Sequence, residues 1–266
     1  MDTSTVIGTI AGTIVIAFGI FFAGIGIIPY LSISSVFITI GGSFAAVMIS
    51  NPMARVRSLP RFFRIVYTTR DLQISQTIVS LVSLADRARK EGILALEDSI
   101  EGLQLTFMKQ GIQLVVDGTD PEIIRTIMYA DMQKMNDRHA QVHKLFDDWG
   151  KYAPAFGLIG TVIGLIAMLG SIGGDIAVIG RGLQTALVTT LYGAIMANFI
   201  LIPIRSKLED QDQEESLLHE LVVEGVLALQ SGDNPRILLE KLLAYLPDVT
   251  RAEVRTVIDR EFSYGN

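Results

Sequence analysis

Cysteine is absent from the 266 residues, so neither a disulfide nor a thiolate metal site can form. No glycine-rich loop stands between a strand and a helix, which excludes the usual nucleotide-binding turn. The net charge of -6 argues against nucleic acid as a partner. Met1-Asp2 supplies no basic stretch, so the first apolar run reads as a retained span rather than a cleaved signal. The most informative absence is of charge. None occurs from Thr3 to Ala54, and between Tyr152 and Ile204 there are only Asp175 and Arg181, both in a short polar link. Without His, Lys, Asp or Glu in these apolar runs, intramembrane proteolysis or acyl transfer lacks the base its nucleophile needs. The chain does not read as an enzyme, and no cofactor is expected.

What is present is apolar. Half the residues are hydrophobic, the mean hydropathy is positive, and 24 glycines suit close helix packing in lipid. About 20 apolar residues cross a hydrocarbon core of roughly 30 Å. Four such spans are predicted, at about 5–28, 33–50, 152–172 and 183–204. The fold class is therefore an all-α membrane protein with four transmembrane helices. A transmembrane hairpin (1–50) precedes a large helical cytoplasmic domain (51–151); a second hairpin (152–204) and a helical cytoplasmic tail (205–266) follow. Lys and Arg concentrate in the middle segment and the tail, which puts both of these and both termini inside. Arg55, Arg57, Arg61, Arg64 and Arg70, just past span two, fall where anionic headgroups lie. In span one, Gly8, Gly12, Gly19, Gly24 and Gly26 have spacing suited to close helix approach.

Periodicity fills in the middle segment. Gln73–Lys90 lines up Ile74, Ile78, Leu81, Val82 and Ala85 on one helical face, and Gly92 breaks it. A second helix is predicted from Ile93 to Val116. Asp120-Pro121-Glu122 starts a third of roughly 30 residues, its apolar face running through Ile124, Ile127/Met128, Met132, Met135, Val142, Leu145/Phe146 and Trp149. Trp149 and Tyr152 then suit a headgroup-level aromatic belt. In the tail a break at Ser231-Gly232 precedes a short helix, Arg236–Tyr245, ended by Pro247.

His139 and His143 share a helix face, but no adjacent Glu completes the usual zinc-enzyme pattern and the helix is amphipathic and exposed, so they read as a solvated face and no metal site is expected. The hydroxyls are more telling. A lone threonine in a span commonly bonds back to its own helix. Thr161 on span three with Thr189, Thr190 and Tyr192 on span four, among Gly157, Gly160, Gly164 and Gly193, instead point to a shared polar face that can help line an ion path. Coupled ion transport needs an ionisable group, and these spans have none, so a partner must supply the carboxylate. Asp86, Arg87, Arg89, Lys90 and Glu91, followed by Glu97, Asp98 and Glu101, make either a salt-bridged surface or a docking face for a charged partner.

Four stretches carry a family resemblance: ADRARKEGILALED (85–98), YAPAFGLIGTVIGLI (152–166), ALVTTLYGAIMANFILIPI (186–204) and EGVLALQSGDNPRILLEKL (224–242). The chain resembles the MotA/PomA stator subunits of the bacterial flagellar motor, within the MotA/TolQ/ExbB group. The resemblance implies an inner-membrane homopentamer around two copies of a single-span MotB/PomB partner, whose membrane aspartate carries a proton or sodium ion. It implies torque delivered to the rotor's switch-complex protein. Carried over residue by residue, it gives Arg89 and Glu97 a rotor-facing role, with Arg87, Lys90 and Asp98 beside them. Pro154 and Pro247 become conformational-coupling prolines, and Thr161 and Thr190 ion-path residues, with Thr189 and Tyr192 adjacent. The alternative within the group is a TolQ/ExbB-type energiser of a periplasm-spanning partner. Those proteins have three spans and lack the RARK…LALE pattern.

Overall fold

A computed structural model describes residues 2–24, 26–68, 72–174 and 176–263. Among these, all regular structure is helical. In chain order the helices are α1 (Thr3–Phe22), α2 (Ile28–Ser50), α3 (Met53–Arg57), α4 (Leu59–Val66), α5 (Ile74–Glu91), α6 (Glu97–Ile100), α7 (Thr106–Val116), α8 (Pro121–Leu169), α9 (Ile176–Ser231), α10 (Pro235–Leu243) and α11 (Asp248–Ser263). Four of them, α1, α2, α8 and α9, are long and apolar enough to cross a membrane. The chain forms two compact units: Met1–Arg70 with His139–Asp210, and Asp71–Arg138 with Gln211–Asn266. Residues 51–68 and 139–151 fall in the same unit as the spans.

In the first unit, the Asp2 carboxylate caps α1 by accepting from the backbone N–H of Ser4 (3.1 Å) and Thr5 (3.4 Å). Lys207 lies 2.5 Å from the same carboxylate, and its hydrogen bond holds Asp2 far below the usual carboxylate range. Helix α1 stops at Phe22, not near 28, because Gly24 and Gly26 take positive φ (78° and 72°) and turn the chain. Glycine packing in α1 also differs from expectation. Gly12 makes room for the Phe199 ring, and Gly8 and Gly19 face open space.

Helix α2 opens with a 3-10 turn, Ile28–Tyr30, and widens to a π turn over Phe37–Gly41. A second π turn, Met196–Leu201, lies in α9 just ahead of Pro203, whose missing N–H disrupts the ladder there. The core of the unit gathers Val47, Val66, Leu145, Phe146, Ala153, Ala197 and Leu201. Trp149 belongs to it. The indole is buried against Phe44 (centroids 5.5 Å apart), and its N–H donates to Ser43 Oγ (3.2 Å), so it is a core residue and not a surface belt. An acceptor on span two draws it in, a pairing that helical period alone does not reveal.

Spans three and four differ at their shared turn. Helix α8 ends at Leu169 and α9 starts at Ile176, so Arg181 sits within α9 and not in the link; Asp175, like Arg70, lies outside the described residues.

The second unit buries the face expected of α5, with Ile78 and Leu81 fully enclosed, and Gly92 ends the helix at φ +90°. The expected helix 93–116 is broken in three: a 3-10 turn Ile93–Leu96, α6, and α7 after a turn at 101–105. The break brings both Leu96 and the Phe107, Met108, Ile112, Val115 stripe into one core, which a straight helix could not do. Met128, not Ile127, takes the inward position on α8. Leu221, Val222 and Val226 of α9, Leu238 and Leu242 of α10, and Val254 and Ile258 of α11 complete the core. Each such buried side chain is worth about 1.5–3 kcal/mol. Helix α10 ends at Leu243, two residues early. Helix α11 was not anticipated; its Arg251 reaches back to the Leu246 (2.7 Å) and Ala244 (3.4 Å) carbonyls that follow α10.

Candidate functional site

The membrane parts of α8 and α9 touch backbone to backbone. A Cβ built at Gly164 would lie 2.5 Å from the Gly182 carbonyl oxygen, and one at Gly193 would lie 2.6 Å from that of Ala153. Small residues in both helices permit this approach. It sets Thr161 directly against Thr190. Their hydroxyl oxygens are 2.5 Å apart. Thr161 Oγ1 also lies 3.0 Å from the Ala186 carbonyl and 3.1 Å from that of Gly157, while Thr190 Oγ1 is 3.3 Å from Ala186 O. Two hydroxyls hold only two protons, so after both are donated the pair retains lone pairs that can accept a proton donor or replace a water ligand on an ion. Thr161 is half-buried and Thr190 exposed, so the pair faces outward from this chain.

The other two expected lining residues go elsewhere. Thr189 is wholly buried. Its hydroxyl donates within α9, to Thr185 O (2.9 Å) or Ala186 O (3.0 Å), and its side chain fills the space left at Gly160. Its carbonyl oxygen accepts from Thr39 Oγ1 of α2 (3.2 Å). Tyr192 donates its phenolic hydrogen to the Tyr30 carbonyl (2.6 Å), and Gln184 donates to that of Pro29 (2.7 Å), so both pin the 3-10 turn that opens α2. Asn198, a further polar group in this span, bonds back to Ala194 O (3.0 Å).

A polar line on α2 escaped the sequence reading. Ser35, Thr39 and Ser43, four residues apart, are all fully buried; Thr39 bonds to α9 and Ser43 accepts from Trp149. The signal was legible as an i, i+4, i+8 repeat of hydroxyls within an apolar run. These groups position α2 against the other two spans.

Pro154 sits inside α8, which continues through it without interruption. It removes one N–H from the ladder at the point where Gly193 packs closest. Pro247 is exposed immediately before α11, and its carbonyl accepts the Arg251 N–H (3.0 Å).

The charged face of the second unit is divided in two. Arg87 is committed: it bonds Glu91 (3.0 Å) and Ser99 Oγ (2.7 Å) and lies 3.9 Å from Asp98. Lys90 pairs with Asp86 at 2.7 Å. Arg89 and Glu97 are exposed, and among the described residues neither makes an ion pair or side-chain hydrogen bond. Elsewhere in the unit Lys241 lies 2.8 Å from Asp233. The hydrogen bond between them lowers the Asp233 pKa and raises that of Lys241.

Comparison with known proteins places the chain in a family. Residues 99–220 match the model described as the MotA/TolQ/ExbB proton channel family. Motility protein A of Borreliella burgdorferi is 41% identical, over 98% of this chain and 100% of its own. Chemotaxis protein PomA of Vibrio alginolyticus is 36% identical, over 95% and 98%. Among solved structures, the flagellar MotAB stator complex of Bacillus subtilis superposes with a TM-score of 0.87 at 34% identity, covering 95% of this chain and 99% of that one.

Proposed function

This chain belongs to the MotA/TolQ/ExbB proton channel family as a flagellar stator subunit, a multi-pass inner-membrane protein, and from that premise we propose how it conducts and pushes. The hydroxyl pair Thr161–Thr190 forms part of the wall of an ion path whose titrating group belongs to another chain. One observation carries this reading: the pair turns toward the outside of the subunit, on spans that contain no acid or base able to release an ion. A MotB/PomB-type partner with a single span and one membrane aspartate supplies that group. The solved B. subtilis relative is a flagellar MotAB stator complex. Five copies of this chain around two of the partner would enclose the path, and both termini would face the cytoplasm with the second unit.

The work step needs no covalent chemistry. Binding or release of a proton or sodium ion at the partner's aspartate changes the charge presented to the hydroxyl wall. The subunit ring then steps to the arrangement favoured by the new charge. Arg89 and Glu97, the free charges beside a neutralised network, provide the contact that pushes an oppositely charged patch on the rotor's switch-complex protein.

The test is ion flux into vesicles holding this chain with its partner. Flux is expected with the native partner and absent when the partner's membrane aspartate is changed to asparagine. Undiminished flux through the asparagine variant would place the ion-binding group in this chain and overturn the reading.

A further inference from the structure

The segment just past α2 carries a charge that no described residue neutralises. From Thr3 to Arg70 there is no Asp or Glu, yet α3 and α4 hold four arginines. Arg55 has partners: its guanidinium donates to Asn51 Oδ1 (3.2 Å) and Gln141 Oε1 (2.6 Å). Arg57, Arg61 and Arg64 are all exposed and, among the described residues, make no ion pair or side-chain hydrogen bond. Arg61 and Arg64 are three apart on α4 and share a face. The opposite face is anchored, with Leu59 and Val66 buried and Phe63 edge-on to Phe146 at 5.8 Å. An amphipathic helix of this kind lies in an interface plane. Helix α3 starts at Met53, three residues after α2 ends at Ser50, which leaves no chain length to carry the arginines away from the headgroup level.

Beside the arginines is an apolar groove of about 700 Å³. Phe44, Met48, Met53, Pro60, Phe63 and Trp149 line it, and Arg57 contributes to its wall. Met48 and Met53 are 41% and 46% exposed, so the groove opens outward. A cationic margin joined to an apolar trough, at the end of a membrane span, matches one kind of molecule: an anionic headgroup with an acyl chain. Guanidinium groups bind phosphate oxygens bidentately, and methionine adapts to a flexible chain.

The geometry points to a binding site for an anionic phospholipid on α3 and α4, with its phosphate held by Arg57 and Arg61, Arg64 adding to the field, and one acyl chain along the groove. This rests on the four spans lying in a bilayer as proposed above. It is independent of rotation and of which ion flows.

The test is to purify the full stator complex, with its partner, from bilayers of mixed phosphatidylglycerol and phosphatidylcholine, and to weigh the retained lipid by native mass spectrometry. The wild type is expected to keep phosphatidylglycerol selectively. Each of Arg57→Gln, Arg61→Gln and Arg64→Gln should lower that selectivity by up to about fivefold. Met48→Trp, which fills the groove and leaves the charges intact, should lower retention of either lipid. Equal retention of the two lipids by the wild type, or unchanged selectivity in the triple arginine variant, overturns the proposal. So does a Met48→Trp complex that falls into smaller assemblies, because the groove then belongs to a contact between copies. Ion flux through the same preparations separates failure of this site from failure of the conduction reading.

Discussion

At the scale of single residues, two threonines adjacent in sequence carry different burdens. Thr189 is enclosed and seals a helix contact, whereas Thr190 meets Thr161 on an open face. Replacing Thr190 by valine keeps the volume and removes the hydroxyl, a loss of about 1 kcal/mol at one hydrogen bond, or roughly fivefold in rate. Ion flux and swimming speed should fall by that order with membrane levels unchanged, and Thr190→Ser should restore them. Thr189→Val should instead act on packing, with a lower melting temperature in detergent as its main sign. A similar contrast separates the arginines. Arg89→Glu or Glu97→Arg should reduce the torque of tethered cells with ion flux intact. Arg87→Ala, which strips Glu91 and Ser99 of a partner, should also lower stability.

At the scale of elements, the α8–α9 hairpin depends on where its glycines lie. Gly164→Ala would force a Cβ into the Gly182 carbonyl, and overpacking of that kind costs about 1–3 kcal/mol. Gly180→Ala meets nothing within 4 Å and should be neutral or slightly stabilising. Thermal unfolding of the two variants side by side checks this. Asp233 and Lys241, which join the Ser231–Asn234 turn to α10, offer a pH test. The lowered Asp233 pKa contributes stability present above its unfolded value near 3.9, and lost as pH falls through the lower folded one. The raised Lys241 pKa contributes below about 10.4, and this is lost as pH rises through the higher folded value. Asp233→Asn should therefore lower the melting temperature by a constant amount from about pH 5 to 9, with the gap closing in acid. Solvent screening limits the effect to about 1 kcal/mol or less.

At the scale of the whole molecule, the spans advertise their incompleteness. Helix α1 buries no residue within the chain, and Phe21, Ile28 and Ile176 are 72%, 80% and 83% exposed. Such surface is stable against lipid or against other subunits. The purified chain in detergent is expected to elute as an oligomer even without its partner, and to leak no ions in that state, because no copy brings an Asp, Glu, His or Lys into the apolar runs 5–28, 33–50, 152–172 or 183–204. Light scattering and a proton-flux assay measure both.

The four spans, the all-helical class and the need for a partner were legible in the chain, because transfer of charge into hydrocarbon is costly wherever it occurs and runs of twenty apolar residues need no long-range information. So was the burial pattern of α5, since one helical period determines it. Other features depended on contacts between segments far apart in sequence: Thr189 turned inward while Thr190 turned outward, Tyr192 bound Tyr30, and Trp149 went to Ser43. The break of 93–116 followed from a core that rewards two apolar stripes at once. The resemblance singled out Arg89 and Glu97, but that their charges are left over became visible only once Arg87, Lys90, Asp86, Glu91 and Asp98 were seen to satisfy one another. Composition decides which segments enter the membrane; which hydroxyls and which charges remain unsatisfied is decided by the neighbours that folding brings to them.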